Sequence, residues 1–304
     1  MKLYRASATD KAILYKQWKD AFAHDDGGSI DYYFNTYYDP TECYLLKEGE
    51  SILSSLQVHR HTMVLHGKRI SASYIVGVLT PMEYRRKGYM KHLMDEVLDM
   101  LSHQDLVTVL QGYNPELYEP FGFEKIYRRK KIMVDNTMIP VLSSQGISYT
   151  VDPKEFQAFY KEFTKHFTGY FTREDGYYEK RFGELKAEGK KVLVLKEDGI
   201  VKGYCMFGIQ PKSIDIEEIL YVDALSCLKM ISTLLNGKEK VFLHVSEHEE
   251  LTRILPGSSA NLEEYMSVRI NDFDLFNKLY DTRVSSARQA MALSGKPLWI
   301  HDSQ

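Results

Sequence analysis

The sequence lacks three features that would each indicate a particular class of protein. It has no excess of positive charge, since 39 Lys and Arg residues stand against 42 Asp and Glu residues. This balance argues against binding along a nucleic-acid duplex, because no basic excess is available to neutralise the phosphates. No run of about eighteen apolar residues occurs, and no apolar segment follows Met1-Lys2-Leu3-Tyr4-Arg5. We therefore expect neither a membrane-spanning segment nor an export signal.

Cysteine is also scarce. Only Cys43, Cys205 and Cys227 are present, and they lie too far apart for the usual disulfide or metal-ligand spacings. A reducing, cytoplasmic location and a protein without a bound metal are the simplest expectations. The composition, 44% hydrophobic and 27% charged, is ordinary for a globular protein, and 304 residues are enough for two domains of usual size.

Residues 74–90 form the most informative stretch. Residues 74–79 are apolar and rich in β-branched side chains, which predicts a buried strand that ends at Thr80-Pro81. A helix is predicted to begin after Gly88, because apolar side chains then recur at helical spacing. These side chains are Tyr89, Met90, Leu93, Met94, Val97, Leu98 and Leu101.

A strand, a short basic loop and a helix N-terminus together predict an anion site. The first helical N–H groups have no partner within the helix, and the helix dipole adds partial positive charge there. Gly88 lets the backbone approach a phosphate, and Arg85, Arg86 and Lys87 add charge. The alternative is a crossover whose polar loop is merely solvated.

An aromatic segment precedes this stretch. Residues 9–23 predict an amphipathic helix, and five aromatic residues then fall within residues 32–38. These rings are either a helical face packed into the core or the wall of a pocket. In the second case the neighbouring acids Asp25, Asp26 and Asp31 would attract a cationic ligand.

The other segments of the first half alternate with period two. Hairpins are predicted around Gly49 and Gly67, a strand over residues 107–111, and a short helical segment from Asn114-Pro115. A strand over residues 132–134 is expected to close the lobe. Together these elements predict a mixed sheet with helices packed on it, an α/β fold.

The second half repeats the pattern without the basic loop. A hairpin over residues 192–207 and a strand over residues 214–222 lead directly through Asp223 into a helix. We therefore predict two domains, residues 1–145 with the anion site and residues 146–304 with the same architecture but no such site. Residues 281–304 are too few to bury a core and are expected to form a short tail, ordered or not.

Two motifs carry a family resemblance. The run Arg85-Arg86-Lys87-Gly88-Tyr89-Met90 resembles the acetyl-CoA signature of the GNAT N-acetyltransferase superfamily, although Met90 stands where that signature has a small residue. The run Tyr118-Glu119-Pro120-Phe121-Gly122-Phe123 resembles the second signature of that superfamily. Both motifs occur in the expected order. The resemblance implies tandem GNAT-like domains of which the second is degenerate.

This tandem arrangement resembles the enhanced-intracellular-survival (Eis) family. Larger members of that family continue into a sterol-carrier-like third domain. The sequence stops where that domain would begin, so we expect it to be missing here. In some members the terminal carboxylate accepts a proton in the active site, a role that we do not assign to Gln304.

The resemblance also implies roles for individual residues. The backbone of Val78, Leu79 and Thr80 would pair with the pantetheine arm, and the residues from Arg85 to Met90 would bind the pyrophosphate. Asn114 would either hydrogen-bond the same arm or cap the next helix.

Acyl transfer to an amine needs a neutral nucleophile, stabilisation of the tetrahedral intermediate and a proton for the leaving thiolate. Tyr118 suits the last role, since a phenol of pKa about 10 can protonate a thiolate whose conjugate acid has a pKa of about 8.5. The alternative is that Tyr118 only packs against Phe121. The N–H near Leu79 is the expected oxyanion donor. Glu116, Asp26 and His24 are candidates for the general base, and none is singled out.

The function that follows from this resemblance is acetyl-CoA-dependent N-acetylation of a primary amine. The acidic and aromatic residues favour a cationic acceptor, such as an aminoglycoside, a polyamine or a lysine side chain. Candidate acceptor-binding residues are Phe22, Asp25, Asp26, Asp31, Tyr33 and Phe34. The alternatives are a non-catalytic acyl-CoA-binding or interaction module of the same fold and an aminoacyl-tRNA-dependent ligase, against which the intact loop argues. Neither a bound metal nor a nucleic-acid partner is expected. The sequence does not determine the oligomeric state, and a homo-oligomer is one possibility.

Overall fold

The computed structural model describes residues 2–23 and 27–302. Numbered along the chain, its strands are β1 (Leu3–Arg5), β2 (Cys43–Glu48), β3 (Ser51–Leu65), β4 (Lys68–Leu79), β5 (Val107–Leu110), β6 (Glu124–Asp135), β7 (Ile147–Ser148), β8 (Tyr170–Phe171), β9 (Lys191–Glu197), β10 (Ile200–Ile209), β11 (Ser213–Tyr221), β12 (Lys240–Ser246) and β13 (Ser259–Ile270). Its α-helices are α1 (Asp10–Ala21), α2 (Ser29–Thr36), α3 (Tyr89–Ser102), α4 (Pro153–Phe163), α5 (Tyr177–Ala187), α6 (Ala224–Leu235), α7 (Phe273–Tyr280) and α8 (Ala287–Met291). None of the helices in these two described stretches is long and apolar enough to cross a membrane.

The chain divides into two compact units. The first lobe comprises the chain up to Ile126 together with Tyr265–Gly295 and Asp302. The second lobe comprises Tyr127–Glu264 and Lys296–His301. Each lobe has a mixed sheet with helices packed on it, so the predicted α/β class is confirmed.

The sheet of the first lobe runs in the order β1-β2-β3-β4-β5, followed by the C-terminal half of β13. Neighbouring strands are antiparallel except β4 and β5, which are parallel and joined through α3. The two-residue turn between β3 and β4 has His66 at φ 47° and Gly67 at φ 80°, as expected for a hairpin that follows the strand twist. The predicted hairpins at Gly49 and Gly67 are thus confirmed.

The core of the first lobe forms where α3 covers the sheet. Five of the seven apolar side chains predicted to face the core from α3 are buried, and the other two, Tyr89 and Met90, are half-buried at its start. The helix packs on inward-facing side chains of β2, β3, β4 and β5. The buried residues of α3 are Leu93, Met94, Val97, Leu98 and Leu101. This packing fixes the N-terminus of α3 beside the end of β4.

The second lobe repeats this topology. Its sheet runs in the order β7-β9-β10-β11-β12-β6, and β11 and β12 are the parallel pair joined by α6. One apolar cluster lies under α6, and a second cluster, which includes Trp299, lies under α4 and α5. The predicted repeat of the architecture is present.

The lobes do not divide at the predicted boundary between residues 145 and 146. Strand β6, predicted to close the first lobe, pairs through residues 129–135 with β12 of the second lobe. The place beside β5 is taken instead by β13, with Ser267 opposite Leu110 and Ile270 opposite Val107. The difference arises because the local pattern of a strand does not specify which sheet edge it joins.

The C-terminal segment is packed rather than a loose tail. Ala287, Ala290 and Met291 of α8 are buried, and the backbone N–H of Ala287 donates a hydrogen bond to the carboxylate of Glu124 at 2.6 Å. In the second lobe, Trp299 and Ile300 are buried. Ordering this segment requires no core of its own, because each part adds to the core of a lobe.

Candidate active site

The end of β4 contains a β-bulge. Ser55 of β3 lies opposite Leu79, and Gln57 lies opposite Val76, so Gly77 and Val78 together face one residue of the neighbouring strand. Gly77 has φ 59°, a conformation that side chains other than glycine's adopt only with strain. A Cβ atom at Gly77 would lie 1.9 Å from the ring of Trp18. Glycine is therefore required here for its backbone conformation and for the close approach of Trp18.

The pairing of β4 with β5 ends just before this bulge, because Leu110 is the last residue of β5. Their parallel register ends at Ile75 opposite Leu110, whereas β4 continues to Leu79. On its other side the end of β4 is anchored, because the hydroxyl of Ser54 donates to the carbonyl of Leu79 at 3.0 Å. The last residues of β4 therefore extend beyond the end of β5, and an extended ligand with amide groups can pair with their backbone there.

The basic loop follows β4 directly. Arg85 folds back, and its Nε–H donates to the carbonyl of Thr80 at 3.0 Å. Arg86 has φ 61°, and its side chain and that of Lys87 are exposed. The ammonium of Lys87 lies 5.6 Å from the ring centroid of Tyr84. One arginine thus stabilises the loop, while two cations face solvent beside the start of α3.

The N-terminus of α3 is open to an anion. Gly88 at φ 83° is its N-cap, no side chain caps the helix, and no acidic residue occupies the first turn. A Cβ atom at Gly88 would meet nothing within 4 Å, so space is available beside the backbone. The uncapped N–H groups, the dipole and the flanking cations are a donor set that fits the pyrophosphate of a coenzyme.

Met90 has a packing role at this helix start. Its side chain is half-buried and packs against the core cluster beneath α3, as do Tyr84 and Tyr89. It is therefore directed toward the core, which accounts for the tolerance of a large side chain at a position where the family signature has a small one.

Tyr118 lies in the 3₁₀ segment Pro115–Phe121, after β5. Its ring is half-buried, packs on the same core cluster and contacts Phe123 edge-on at a centroid distance of 6.2 Å. A Cβ atom at Gly112 would lie 2.7 Å from the Tyr118 ring, so this glycine makes room for the side chain. Burial raises the pKa of Tyr118. None of the described residues hydrogen-bonds its hydroxyl, which leaves the proton available to a ligand.

Asn114 precedes that segment and is exposed. Its side chain does not cap the segment, although its carbonyl accepts the N–H of Leu117 at 3.2 Å. Of the two roles considered for Asn114, the capping role is not seen. Glu116, one candidate for the general base, is exposed and forms an ion pair with Lys125 at 3.0 Å. The other two, His24 and Asp26, lie outside the described residues.

The candidate acceptor-binding residues have different environments. Tyr33 and Phe34 are buried, and Trp18 stacks on Tyr33 at a centroid distance of 4.7 Å. Phe22 is half-buried, with its ring edge-on to Trp18 at 5.5 Å. Tyr33 and Phe34 therefore pack as part of a helical face, whereas Tyr32, Tyr37 and Tyr38 are half-buried. That the segment also forms the wall of a pocket stays a prediction.

The polar groups of this aromatic cluster are largely engaged. The hydroxyl of Tyr33 lies 2.8 Å from Oε1 of Gln57 and 2.7 Å from Nε2 of His59. Asp31 is exposed, accepts a hydrogen bond from the hydroxyl of Tyr15 and lies 3.0 Å from the ammonium of Lys19. The Tyr15 hydrogen bond, and then Lys19, lower the pKa of Asp31. Asp25 and Asp26 lie outside the described residues.

Sequence reasoning missed three residues that shape the site, namely Trp18, Gly77 and Gly112. The signal for Gly77 was present, because a lone glycine within a β-branched run is typical of a bulge. Nothing in the sequence pairs it with Trp18, since that contact joins residues far apart in the chain.

The second lobe differs at the equivalent position. Helix α6 begins after Asp223, whose carboxylate accepts the N–H of Ser226 at 2.8 Å. This hydrogen bond lowers the pKa of Asp223, so a negative charge already occupies the N-terminus of α6. A phosphate would be repelled there, in agreement with a degenerate second domain.

Comparison with protein families agrees with these observations. Residues 3–126 match the model described as an acetyltransferase (GNAT) domain. This match covers the β4 bulge, the basic loop, the start of α3 and Tyr118. Residues 3–126 of the first lobe are therefore similar to a GNAT acetyltransferase domain. Comparison with curated proteins gives no significant match.

Solved structures extend the likeness beyond the GNAT domain to most of the chain. A GCN5-related N-acetyltransferase from Anabaena variabilis ATCC 29413 gives a TM-score of 0.75 at 18% identity, covering 89% of this chain and 73% of its own. Eis1 from Mycobacterium abscessus gives 0.70 at 12% identity, covering 91% and 75%. A tandem GNAT protein from the clavulanic acid biosynthesis pathway gives 0.53 at 12% identity, covering 89% and 99%.

These structures establish a shared fold. The resemblance to Eis-type tandem GNAT proteins is thereby confirmed, and acyl transfer is the general chemistry that the GNAT domain supports.

Proposed function

We propose that the first lobe transfers the acetyl group of acetyl-CoA to a primary amine. The observation that carries this proposal is the combination of an uncapped helix N-terminus, a bulged β4 that extends beyond β5, and a half-buried tyrosine whose hydroxyl receives no hydrogen bond from the described residues, all within residues 3–126. Acetyl-CoA supplies an activated acetyl thioester when bound. Every other contribution comes from residues of this chain.

Binding is assigned to the loop and to β4. The first N–H groups of α3 and the side chains of Arg86 and Lys87 bind the pyrophosphate, and Gly88 keeps the approach open. Val78, Leu79 and Thr80 pair through their backbone with the pantetheine arm. Asn114, exposed after the end of β5, is a further donor to that arm.

Activation of the acetyl carbonyl is assigned to the bulge. A bulge leaves one backbone N–H out of register with the neighbouring strand. An N–H near Leu79 at this bulge can donate to the acetyl carbonyl oxygen. Negative charge develops on that oxygen in the transition state, where a fixed dipole stabilises it most effectively. Trp18 lies so close to Gly77 that a side chain there would clash with its ring, and this packing supports the bulge.

Tyr118 is assigned the proton that the departing sulfur requires. Its raised pKa keeps the hydroxyl protonated at neutral pH. The same desolvation raises the basicity of a thiolate in that position, so the transfer is favoured at the moment of departure.

The acceptor is assigned as a cationic small molecule or a lysine side chain. Acidic residues recur in the sequence at Asp25, Asp26 and Asp31, and an acidic segment favours an ammonium over an anion as the ligand. Asp31 itself is paired with Lys19, so a ligand would have to displace that cation.

Two measurements test the proposal. Calorimetry with acetyl-CoA is expected to give one site per chain, and release of CoA is expected to depend on an amine chosen from a panel of aminoglycosides, polyamines and lysine peptides. Binding without amine-dependent release would favour the non-catalytic alternative. No binding at all would refute the coenzyme site and leave a tRNA-dependent ligase to be considered.

A further inference from the structure

The second lobe contains a cavity of about 660 Å³. Its walls come from α4 and the 3₁₀ turn that follows, from the end of β11 and the start of α6, and from the segment after β12. Pockets for small molecules span roughly 300–1,000 Å³. This cavity is therefore large enough for a ligand, and every residue that lines it belongs to the second lobe.

The cavity lies where two parallel strands diverge. The register of β11 with β12 ends at Ile216 opposite Leu243, whereas β11 continues to Tyr221 and β12 to Ser246. The first lobe has its coenzyme cleft at the same topological position. Here, however, Asp223 caps α6 with a carboxylate, so the cavity does not suit a phosphate-bearing ligand.

The walls combine aromatic rings with neutralised ion pairs. Phe163 and Phe167 stack at a centroid distance of 4.9 Å, and Phe159 lines the same space. The carboxylate of Glu162 lies 2.7 Å from the ammonium of Lys165. A second acid, Glu250, lies 2.7 Å from the ammonium of Lys130. The negative charges of two of the three carboxylates that line the cavity are therefore balanced by these ion pairs.

Glu249 is the third carboxylate, and only neutral donors hold it. The hydroxyl of Tyr221 donates to one oxygen at 2.7 Å, and the N–H of Ser246 donates to the other at 3.1 Å. Within the described stretches of the chain, no Lys, Arg or His lies at ion-pair distance from this carboxylate. Burial raises the pKa of Glu249, which an approaching cation would lower again. Lys130, which pairs with Glu250 and also donates to the backbone carbonyl of Glu249 at 3.1 Å, stabilises the Glu249 charge only from a longer distance. The site therefore presents a carboxylate without a direct ion pair beside aromatic rings.

We propose that this cavity binds a small amphipathic amine, with its ammonium on Glu249 and its apolar body against Phe159, Phe163 and Phe167. A cation near both a carboxylate and aromatic faces gains Coulomb and cation–π energy, and a body of apolar groups gains from leaving water. The ligand is bound and not transformed, because the anion site and the tyrosine of the first lobe have no counterpart here. This inference is independent of the proposed acetyl transfer.

The test uses 4-phenylbutylamine and its uncharged analogue 4-phenylbutan-1-ol, titrated calorimetrically into the whole chain. The amine is expected to bind at least about ten-fold more tightly than the alcohol, a difference of about 1.4 kcal/mol. In Glu249→Gln this preference is expected to disappear. Glu162→Gln is the matched control, since it removes a carboxylate of the same cavity that already has its own cation, and it should change the affinity for the amine less than about three-fold.

A second variant locates the ligand without changing charge. Ala224→Phe places a ring at the cavity wall from an exposed position at the start of α6, where the added bulk need not disturb the core. It is expected to weaken the binding of both probes at least about ten-fold. It also keeps the proposal testable if Glu249→Gln does not fold. Equal affinity for amine and alcohol, amine binding that Glu249→Gln or Ala224→Phe leaves unchanged, or no amine binding would each overturn the proposal.

Discussion

At the scale of single residues, Gly77 determines the shape of the β4 bulge. Replacement by Ala forces a Cβ atom to within 1.9 Å of Trp18 at a φ of 59°. We expect Gly77→Ala to lower the free energy of unfolding by at least about 2 kcal/mol, from strain and overpacking together, and to reduce acetyl transfer as well. Urea unfolding and CoA release measure the two effects.

Gly67→Ala is the matched control for this prediction. Gly67 also has a positive φ, 80°, but a Cβ atom there would meet nothing within 4 Å. Gly67→Ala should lower the free energy of unfolding by only about 1 kcal/mol and leave turnover unchanged. Equal effects of the two substitutions on both measurements would mean that the Trp18 contact has no special role.

The raised pKa of Tyr118 predicts a pH dependence. The proposed acid works only while protonated, so its contribution is complete below its pKa and is lost as the pH rises through that value. Because burial raises this pKa above 10.0, kcat should not fall on account of Tyr118 between about pH 7 and about pH 10. If kcat falls above about pH 8 in both the unaltered protein and Tyr118→Phe, another group causes the fall. If kcat falls there in the unaltered protein but not in Tyr118→Phe, the predicted pKa shift of Tyr118 is contradicted.

At the scale of secondary-structure elements, the N-terminus of α3 distinguishes the two lobes. The first lobe begins this helix with Gly88 and the second begins its counterpart with Asp223. We expect Gly88→Asp to weaken acetyl-CoA binding at least about ten-fold, because a carboxylate would compete with the pyrophosphate for the same N–H groups. Calorimetry measures the loss.

Gly176→Asp provides the control at a comparable helix start. Gly176 is the N-cap of α5, has φ 85°, receives no side-chain cap and has open space around it. The substitution should cause similar strain in the backbone and no change in coenzyme affinity. If both variants bind acetyl-CoA as the unaltered protein does, the anion site is not at α3.

The sequence predicted this element well because its determinants are local. The apolar run of β4, the basic loop, Gly88 and the helical spacing of α3 all lie within residues 74–101. Each of them acts through neighbours in the chain, so periodicity and glycine chemistry are sufficient. The aromatic segment was ambiguous for the opposite reason, since Tyr33 and Phe34 acquire their environment from Trp18 and from β3.

At the scale of the whole molecule, the first lobe depends on a strand that is distant in sequence. Residues of β13 pair with β5, whose four residues Val107–Leu110 are all buried. The amide of Asn271 also donates to the carbonyl of Asp105 at 2.8 Å. No local pattern reveals this pairing, and the predicted boundary at residue 145 therefore separated β13 from the lobe that it completes.

This pairing predicts how fragments behave. Residues 1–145 alone expose the edge of β5, so we expect the fragment to aggregate or to bind acetyl-CoA far more weakly than the whole chain. The same fragment joined by a flexible linker to residues 265–295 regains the missing strand and is expected to bind. Coenzyme titration of both tests this. Full affinity in residues 1–145 alone would contradict the assignment of β13 to the first lobe.

The measurement that tests the central claim most directly is amine-dependent release of CoA by the whole chain and by Tyr118→Phe. With an accepted amine near neutral pH, we predict that kcat falls at least about 100-fold in the variant. Its affinity for acetyl-CoA should stay within about two-fold, because the hydroxyl acts on the leaving sulfur and not on binding. Unchanged turnover in Tyr118→Phe, or release of CoA that no amine accelerates, would contradict the account.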